Sequence, residues 1–230
     1  MIDLSSLDSF YVEMEKGVSE RLRQSKLLSD AEIDDLRLFD TQVGRDFPEE
    51  KGKGLLFYGR ATNGWSFYGD EHEPINVVLT KYRKRPFFKL LYWVGWNYYD
   101  DNYCNTIAWS NIYKMAPNGG NPPDLLRATQ EDYVKTIIER EIELLSPGVI
   151  VLVTGNTVGR SWSKPFFDAF HNLREIDKRI WGKEEENTTT LYSDGSMNVI
   201  LTNRPEYRPI GAQCDSITTL IEDHHLDRFL

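Results

Sequence analysis

Five consecutive aliphatic residues, Val149-Ile150-Val151-Leu152-Val153, constrain this chain more than any other feature. A strand that is apolar at every position is covered on both faces, which occurs in parallel sheets with helices on both sides. Ser146-Pro147-Gly148 breaks the chain before the run and Thr154-Gly155-Asn156 ends it. Three more strands are expected. Leu55-Leu56-Phe57-Tyr58 follows the glycine-rich Lys51-Gly52-Lys53-Gly54, residues 106 to 112 alternate weakly, and Asn198-Val199-Ile200-Leu201-Thr202 closes the set. Helical patterns separate them. Residues 75 to 100 are aromatic and mostly helical, with Pro86 at the permitted first turn of a new helix. Thr129 with Asp132 forms a capping-box pattern for a helix to Leu145, and Ile217, Leu220 and Ile221 mark a C-terminal helix.

Strands alternating with helices predict a single α/β domain over residues 54–230, built on a central, mainly parallel four-stranded sheet flanked by helices. Residues 1–53 are expected as a helical N-terminal extension. Leu4, Leu7, Phe10, Tyr11 and Met14 fall at helical spacing, and Ser29-Asp30 can cap a segment through Leu38.

At 230 residues and 40% hydrophobic, the chain can bury a proper core. No apolar run approaches ~18 residues, so no membrane-spanning helix is expected. No secretory signal pattern is visible at the start, and two cysteines, Cys104 and Cys214, make neither a disulfide framework nor a four-thiolate metal site. A cytoplasmic, monomeric protein without cofactor or metal is the expectation. The net charge of −9 argues against a protein held to nucleic acid by bulk charge, but leaves room for a local patch. The stretch from Lys81 to Lys89 has five cations, three aromatics and no acid, and Arg83, Lys84 and Arg85 are its candidate DNA-backbone contacts. The plainer reading of that stretch is a solvated helix face.

No Walker loop, no G-x-G-x-x-G after a strand and no G-x-S-x-G is present, so nucleotide-binding folds and common serine hydrolases lose their usual support. The four histidines have no metal spacing. Open α/β sheets place ligands at the carboxyl ends of their strands. A site is therefore expected where residues 59 to 71, 109 to 123 and 203 to 208 converge.

The loops at those ends occur in a definite order. Gly59-Arg60-Ala61-Thr62 follows the first strand, and Trp65-Ser66-Phe67-Tyr68-Gly69-Asp70 comes next. Trp109-Ser110-Asn111-Ile112-Tyr113-Lys114, the helix to Leu145, the 149–153 strand and Leu201-Thr202-Asn203-Arg204-Pro205-Glu206-Tyr207 complete the series. Over about residues 54 to 209 this resembles the uracil-DNA glycosylase superfamily, closest to its thermophile-type iron–sulfur branch. The resemblance implies that the Gly59 loop positions water, with Thr62 where proline is usual. It implies that Phe67 stacks on an extruded base, that Asp70 assists catalysis and that Asn111 reads the base edge. The last loop would face the leaving group, with Arg204 where the family has histidine. The four cysteines that hold the branch's cluster are absent, so no cluster is implied.

The chemistry accounts for those residue types. Hydrolysis of a base–sugar bond builds positive charge on the sugar and negative charge on the departing base. A carboxylate can stabilise the cation and orient water, which makes Asp70 the first candidate, with Glu71 and Asn63 as substitutes. Asn63 can position water but cannot take its proton. A donor facing the base can be worth ~3 kcal/mol, and Arg204 can supply one, although a phosphate contact or a salt bridge to Glu206 suits it equally. Phe67 is either a stacking ring or core, and Asn111 either reads the base or caps a loop. Trp65 is expected in the pocket wall, and Asn203 and Tyr207 at the phosphate and rim. No lysine stands at a motif position for Schiff-base chemistry; Lys114 is nearest.

The resemblance thus implies a monofunctional DNA glycosylase acting on an extruded uracil-like or modified pyrimidine, with a role in defence against modified phage DNA as one expectation. Two alternatives stay open: a silent module of the same fold that binds DNA or a nucleotide, and a hydrolase of free nucleosides.

Overall fold

The aliphatic run at 149–153 lies at the centre of a sheet, covered on both faces, with every residue buried. The computed structural model describes residues 2–61, 74–155 and 162–230. The chain begins with α1 (Asp8–Ser25) and α2 (Asp30–Asp34), passes two short strands, β1 (Arg37–Leu38) and β2 (Gln42–Val43), and enters β3 (Leu55–Ala61). Helices α3 (Ile75–Tyr82), α4 (Pro86–Tyr99) and α5 (Tyr103–Thr106) lead to β4 (Ile107–Tyr113) and the short β5 (Met115–Ala116). The long α6 (Asp124–Leu145) returns the chain to β6 (Val149–Val153). After α7 (Lys164–Ala169) come β7 (Arg174–Ile180), β8 (Thr188–Ser193), β9 (Asn198–Thr202) and α8 (Ile210–Asp223).

The sheet order is β2-β4-β3-β6-β9-β8-β7. The four expected strands are its parallel centre, β4-β3-β6-β9. Among the described residues the sheet is nevertheless seven-stranded and mixed, because β2 adds antiparallel to β4, and β8 and β7 extend the other side antiparallel. The missed β7 reads Arg-Glu-Ile-Asp-Lys-Arg-Ile and is mostly exposed. It is an edge strand whose charges discourage pairing with other chains, so it lacks the apolar signature of a buried strand.

From β3 the chain moves to β4 on one side, then crosses back past β3 to β6. Right-handed crossovers made in opposite directions place their helices on opposite faces. Alternate strand residues accordingly feed two cores. Leu56, Tyr58, Ala108, Ile112, Ile150 and Leu152 pack with α1, α6 and α7. Leu55, Phe57, Ile107, Trp109, Val149 and Val151 pack with α3, α4 and α8.

Three sequence expectations require correction. The segment 1–53 is helical only as far as Asp34. Ser29 does cap α2, in a reciprocal capping box with Glu32, but the helix does not reach Leu38, because Arg37 and Leu38 pair with Ala116 and Met115. Tyr11, Met14, Val18 and Leu22 of α1 are buried in the core shared with α6. Helix α6 starts at Asp124, directly after the prolines, and the Thr129 hydroxyl donates to the Leu125 carbonyl at 2.8 Å inside it. Finally, Gly59, Arg60 and Ala61 continue β3 instead of forming a loop. Among the described residues no helix is long and apolar enough to cross a membrane.

Between α6 and the sheet lies a fully buried ion pair. Lys114 Nζ donates to Glu141 Oε1 at 2.6 Å and to Ser110 Oγ at 2.6 Å, and both charged side chains have no exposure. Tyr11 and Tyr58 donate to the Glu141 carboxylate at 2.8 and 2.7 Å, and Thr41 and Ser110 donate to it as well. Burial, and then the Glu141 charge, push both phenols well above their ordinary range, so they remain protonated donors. The pair ties α1, the 39–41 segment, β3, β4 and α6 to one point.

Candidate functional site at the carboxyl ends of the parallel strands

A cavity of about 230 Å³ opens where β3, β4, β6 and β9 end. Gly59, Arg60 and Ala61 come from β3, Trp109 and Asn111 from β4, Val153 from β6, and Arg204, Pro205 and Glu206 from the loop after β9. Asn121 reaches it from the loop before α6, and residues 85 to 88 from the start of α4. Described parts of the three expected segments, 59–61, 109 to 121 and 204–206, therefore meet here, joined by a helix start, while residues 62–71 lie outside the described residues.

Aromatic rings make the wall. Phe88 meets Trp109 edge to face at 5.1 Å between centroids, and Phe87 lies 5.8 Å from Trp109 and 5.4 Å from Phe88. Pro86 begins α4, whose N-cap, Arg85, provides no side-chain cap. The first turn of a helix leaves N–H groups without intrahelical partners and carries partial positive charge.

Asn111 is 2% exposed, and its Nδ2 has no hydrogen-bond partner. Leaving a buried donor unmet costs ~1–3 kcal/mol, and this one belongs to a residue that lines the cavity. Gly59 allows its placement. A Cβ built on Gly59 would stand 2.4 Å from Asn111 Oδ1 and 3.3 Å from the Phe87 ring. We predict that Gly59→Ala pushes the amide and the ring into the cavity. Affinity for the site's ligand should fall at least tenfold while the thermal midpoint moves by only a few degrees. Unchanged affinity would remove Gly59 from the site.

The rim is cationic. Arg60 donates from Nε to the Thr154 carbonyl at 2.6 Å and lies over the Trp162 ring at 5.3 Å. Its pKa falls to about 10, first from burial and then from Arg204, with Arg208 and Arg127 adding and Glu206 opposing. It remains a cation at neutral pH. Arg204 donates from Nε to Glu206 at 2.9 Å, so the salt-bridge alternative is the geometry observed.

The remaining candidates divide. Asn203 does not line the cavity; its side chain accepts from the Thr188 N–H at 2.9 Å and donates to the Glu186 carbonyl at 3.4 Å, which clasps β9 to the start of β8. Its side chain is thus engaged in holding two strands together. Tyr207 is fully exposed beside the rim, with a left-handed backbone at φ 63°. Arg83 and Lys84 are exposed in the turn between α3 and α4, next to the cavity-lining Arg85, which lies 4.8 Å over the Tyr82 ring. Thr62, Asn63, Trp65, Phe67, Asp70 and Glu71 lie outside the described residues. Lys114 faces the opposite layer, committed to Glu141.

Sequence reasoning missed Phe87, Phe88, Arg127 and Trp162. Only the first two carried a signal, since they stand in the cationic, aromatic stretch that Pro86 divides. Among the described residues no group of three His, Cys, Asp or Glu side chains is placed to hold a metal ion. No protein-family model and no curated protein matches this chain.

Proposed function

We propose that this protein is a monofunctional DNA glycosylase that hydrolyses the N-glycosidic bond of an extruded uracil-like or modified pyrimidine. One observation carries the reading: an aromatic-walled cavity at the carboxyl ends of the parallel strands contains the buried, unmet amide of Asn111. A flat, hydrogen-bonding ring suits such walls, and the arginine rim suits the phosphates attached to it. The ordered loops from Gly59 to Tyr207 support the same reading.

In the reaction, water attacks the sugar carbon, the C–N bond breaks, and the electron pair leaves with the base, which then takes up a proton. Asp70 is assigned to orienting the water and stabilising the cationic sugar. Asn111 Nδ2 and the uncapped start of α4 are assigned to the negative charge growing on the base. Arg204 shares its charge with Glu206 and is therefore a weaker donor than a free guanidinium. With arginine where the family has histidine, the preferred base is a modified pyrimidine, and defence against modified phage DNA is the setting this suggests. Excision of plain uracil as efficient as that of larger bases would contradict this substrate assignment.

The Arg204–Glu206 pair favours one alternative, a silent module that uses the pocket only to bind. Asp70→Ala separates the two. As an enzyme, the variant should lose turnover by at least a hundredfold with DNA binding kept; as a silent module, it should behave like the parent.

A further inference from the structure

We propose that Arg60, Arg127 and Trp162, with Arg204 and Arg208 beside them, form a phosphate subsite adjoining the base cavity. The inference rests on reading that cavity as a base pocket. Two guanidinium groups share one indole: Arg127 lies over the Trp162 ring at 4.6 Å and Arg60 at 5.3 Å. Stacking on a flat ring fixes the plane of a guanidinium and leaves its edge N–H groups available for a bidentate acceptor. Tyr113 also meets Trp162, edge to face at 5.6 Å between ring centroids.

The charges are incompletely balanced. Arg127 reaches Asp124 through Nη2, yet its Nε is buried without a partner. Arg204 has Glu206, and Arg208 has Glu186 at 3.9 Å. Among the described residues Arg60 has no acidic partner; its one bond is to a backbone carbonyl. The neighbouring guanidiniums disfavour its charge, and a bound anion would relieve that repulsion. Thr154, whose carbonyl holds Arg60, is fully buried with its own Oγ1 unmet.

A planar, multiply charged donor set of this kind matches a phosphate better than a lone carboxylate, because phosphate offers several oxygens to several forks. Arg60 lines the base cavity and also stacks on Trp162, so the phosphate held belongs to the target nucleotide or its neighbour. The subsite also explains how a chain with a net charge of −9 holds an anionic strand: cations are gathered at one sheet end.

The test is salt-dependent binding of a labelled plain-sequence oligonucleotide to the full chain, and to Arg60→Gln, Arg127→Gln and Arg127→Lys. The first two variants should each bind about tenfold more weakly, and each should lower the slope of log affinity against log salt by about one. Arg127→Lys should keep the slope and lose affinity, which separates the charge from the fork. Thermal midpoints show whether any loss reflects misfolding; for a variant that fails to fold, protection of the parent by inorganic pyrophosphate replaces it. Arginine-dependent binding of a nucleoside monophosphate without any binding of the oligonucleotide would keep the phosphate subsite and overturn the DNA reading. Equal slopes in all variants, or no pyrophosphate protection, would overturn the subsite.

Discussion

Glu141→Gln is expected to lower the free energy of unfolding by ~3–5 kcal/mol, the range found when one partner of a buried ion pair is removed. The substitution removes the charge that balances the buried Lys114 ammonium and replaces one carboxylate oxygen with an amide donor, which then faces hydroxyl donors such as Tyr58 and Ser110 on Oε2. For a chain of this length the thermal midpoint should fall on the order of 10 °C. Lys114→Met should cost less, because the carboxylate keeps Tyr11, Tyr58, Thr41 and Ser110 as donors. The double variant Lys114→Met with Glu141→Gln should cost less than the two single losses added together, since it leaves no uncompensated buried charge. Urea unfolding of the set measures all three. A Glu141→Gln variant within ~1 kcal/mol of the parent would show that the pair is not the tie between layers described above.

The second large effect concerns chemistry. Asn111→Asp keeps the shape of the side chain, removes the unmet Nδ2 donor and places a negative charge where the base anion is proposed to form. Turnover should fall by ~10²–10³, the loss typical of removing one pre-aimed donor from a developing oxyanion. DNA affinity, carried by the arginine rim, should stay within about threefold. A merely structural residue would lower rates for every substrate alike. A residue that stabilises the leaving group should do more: across a series of 5-substituted pyrimidines, the variant's rate should depend more steeply on the acidity of the departing base. Parallel slopes for parent and variant would reassign Asn111 to packing.

How much of this was readable beforehand follows from where each residue sits. The parallel centre was legible because burial on both faces demands apolar residues at every position, as at Val149 to Val153. Strand β7 was not, since an exposed edge selects charge. Glu141 stood in plain view on the apolar stripe of α6, one turn from Ile137 and Ile138, and a carboxylate on a buried stripe signals a buried partner. That the partner is Lys114 depends on the β4–α6 packing, which no local pattern encodes. At the site, Gly59, Arg60, Asn111 and Arg204 were legible from loop order along the sheet. Phe87 and Phe88 belong to a helix whose start happens to face the cavity. Arg127 and Trp162 come from two elements far apart in sequence that meet only in the fold. Asn203 was ambiguous because a polar residue just beyond a strand can serve either a ligand or the strand's own end, and its side chain bonds to Thr188 and Glu186.

The most direct test of the central claim is strand cleavage by alkali after incubation with labelled oligonucleotides carrying uracil, ordinary bases and several modified pyrimidines. Alkali cuts wherever a base has been removed, so the products report glycosidic hydrolysis itself. The account predicts cleavage at a pyrimidine position, strongest for a modified base and abolished by Asp70→Ala. No cleavage of any substrate, by a protein that binds the same oligonucleotides, would contradict it and leave a pocket that holds DNA without cutting the bond.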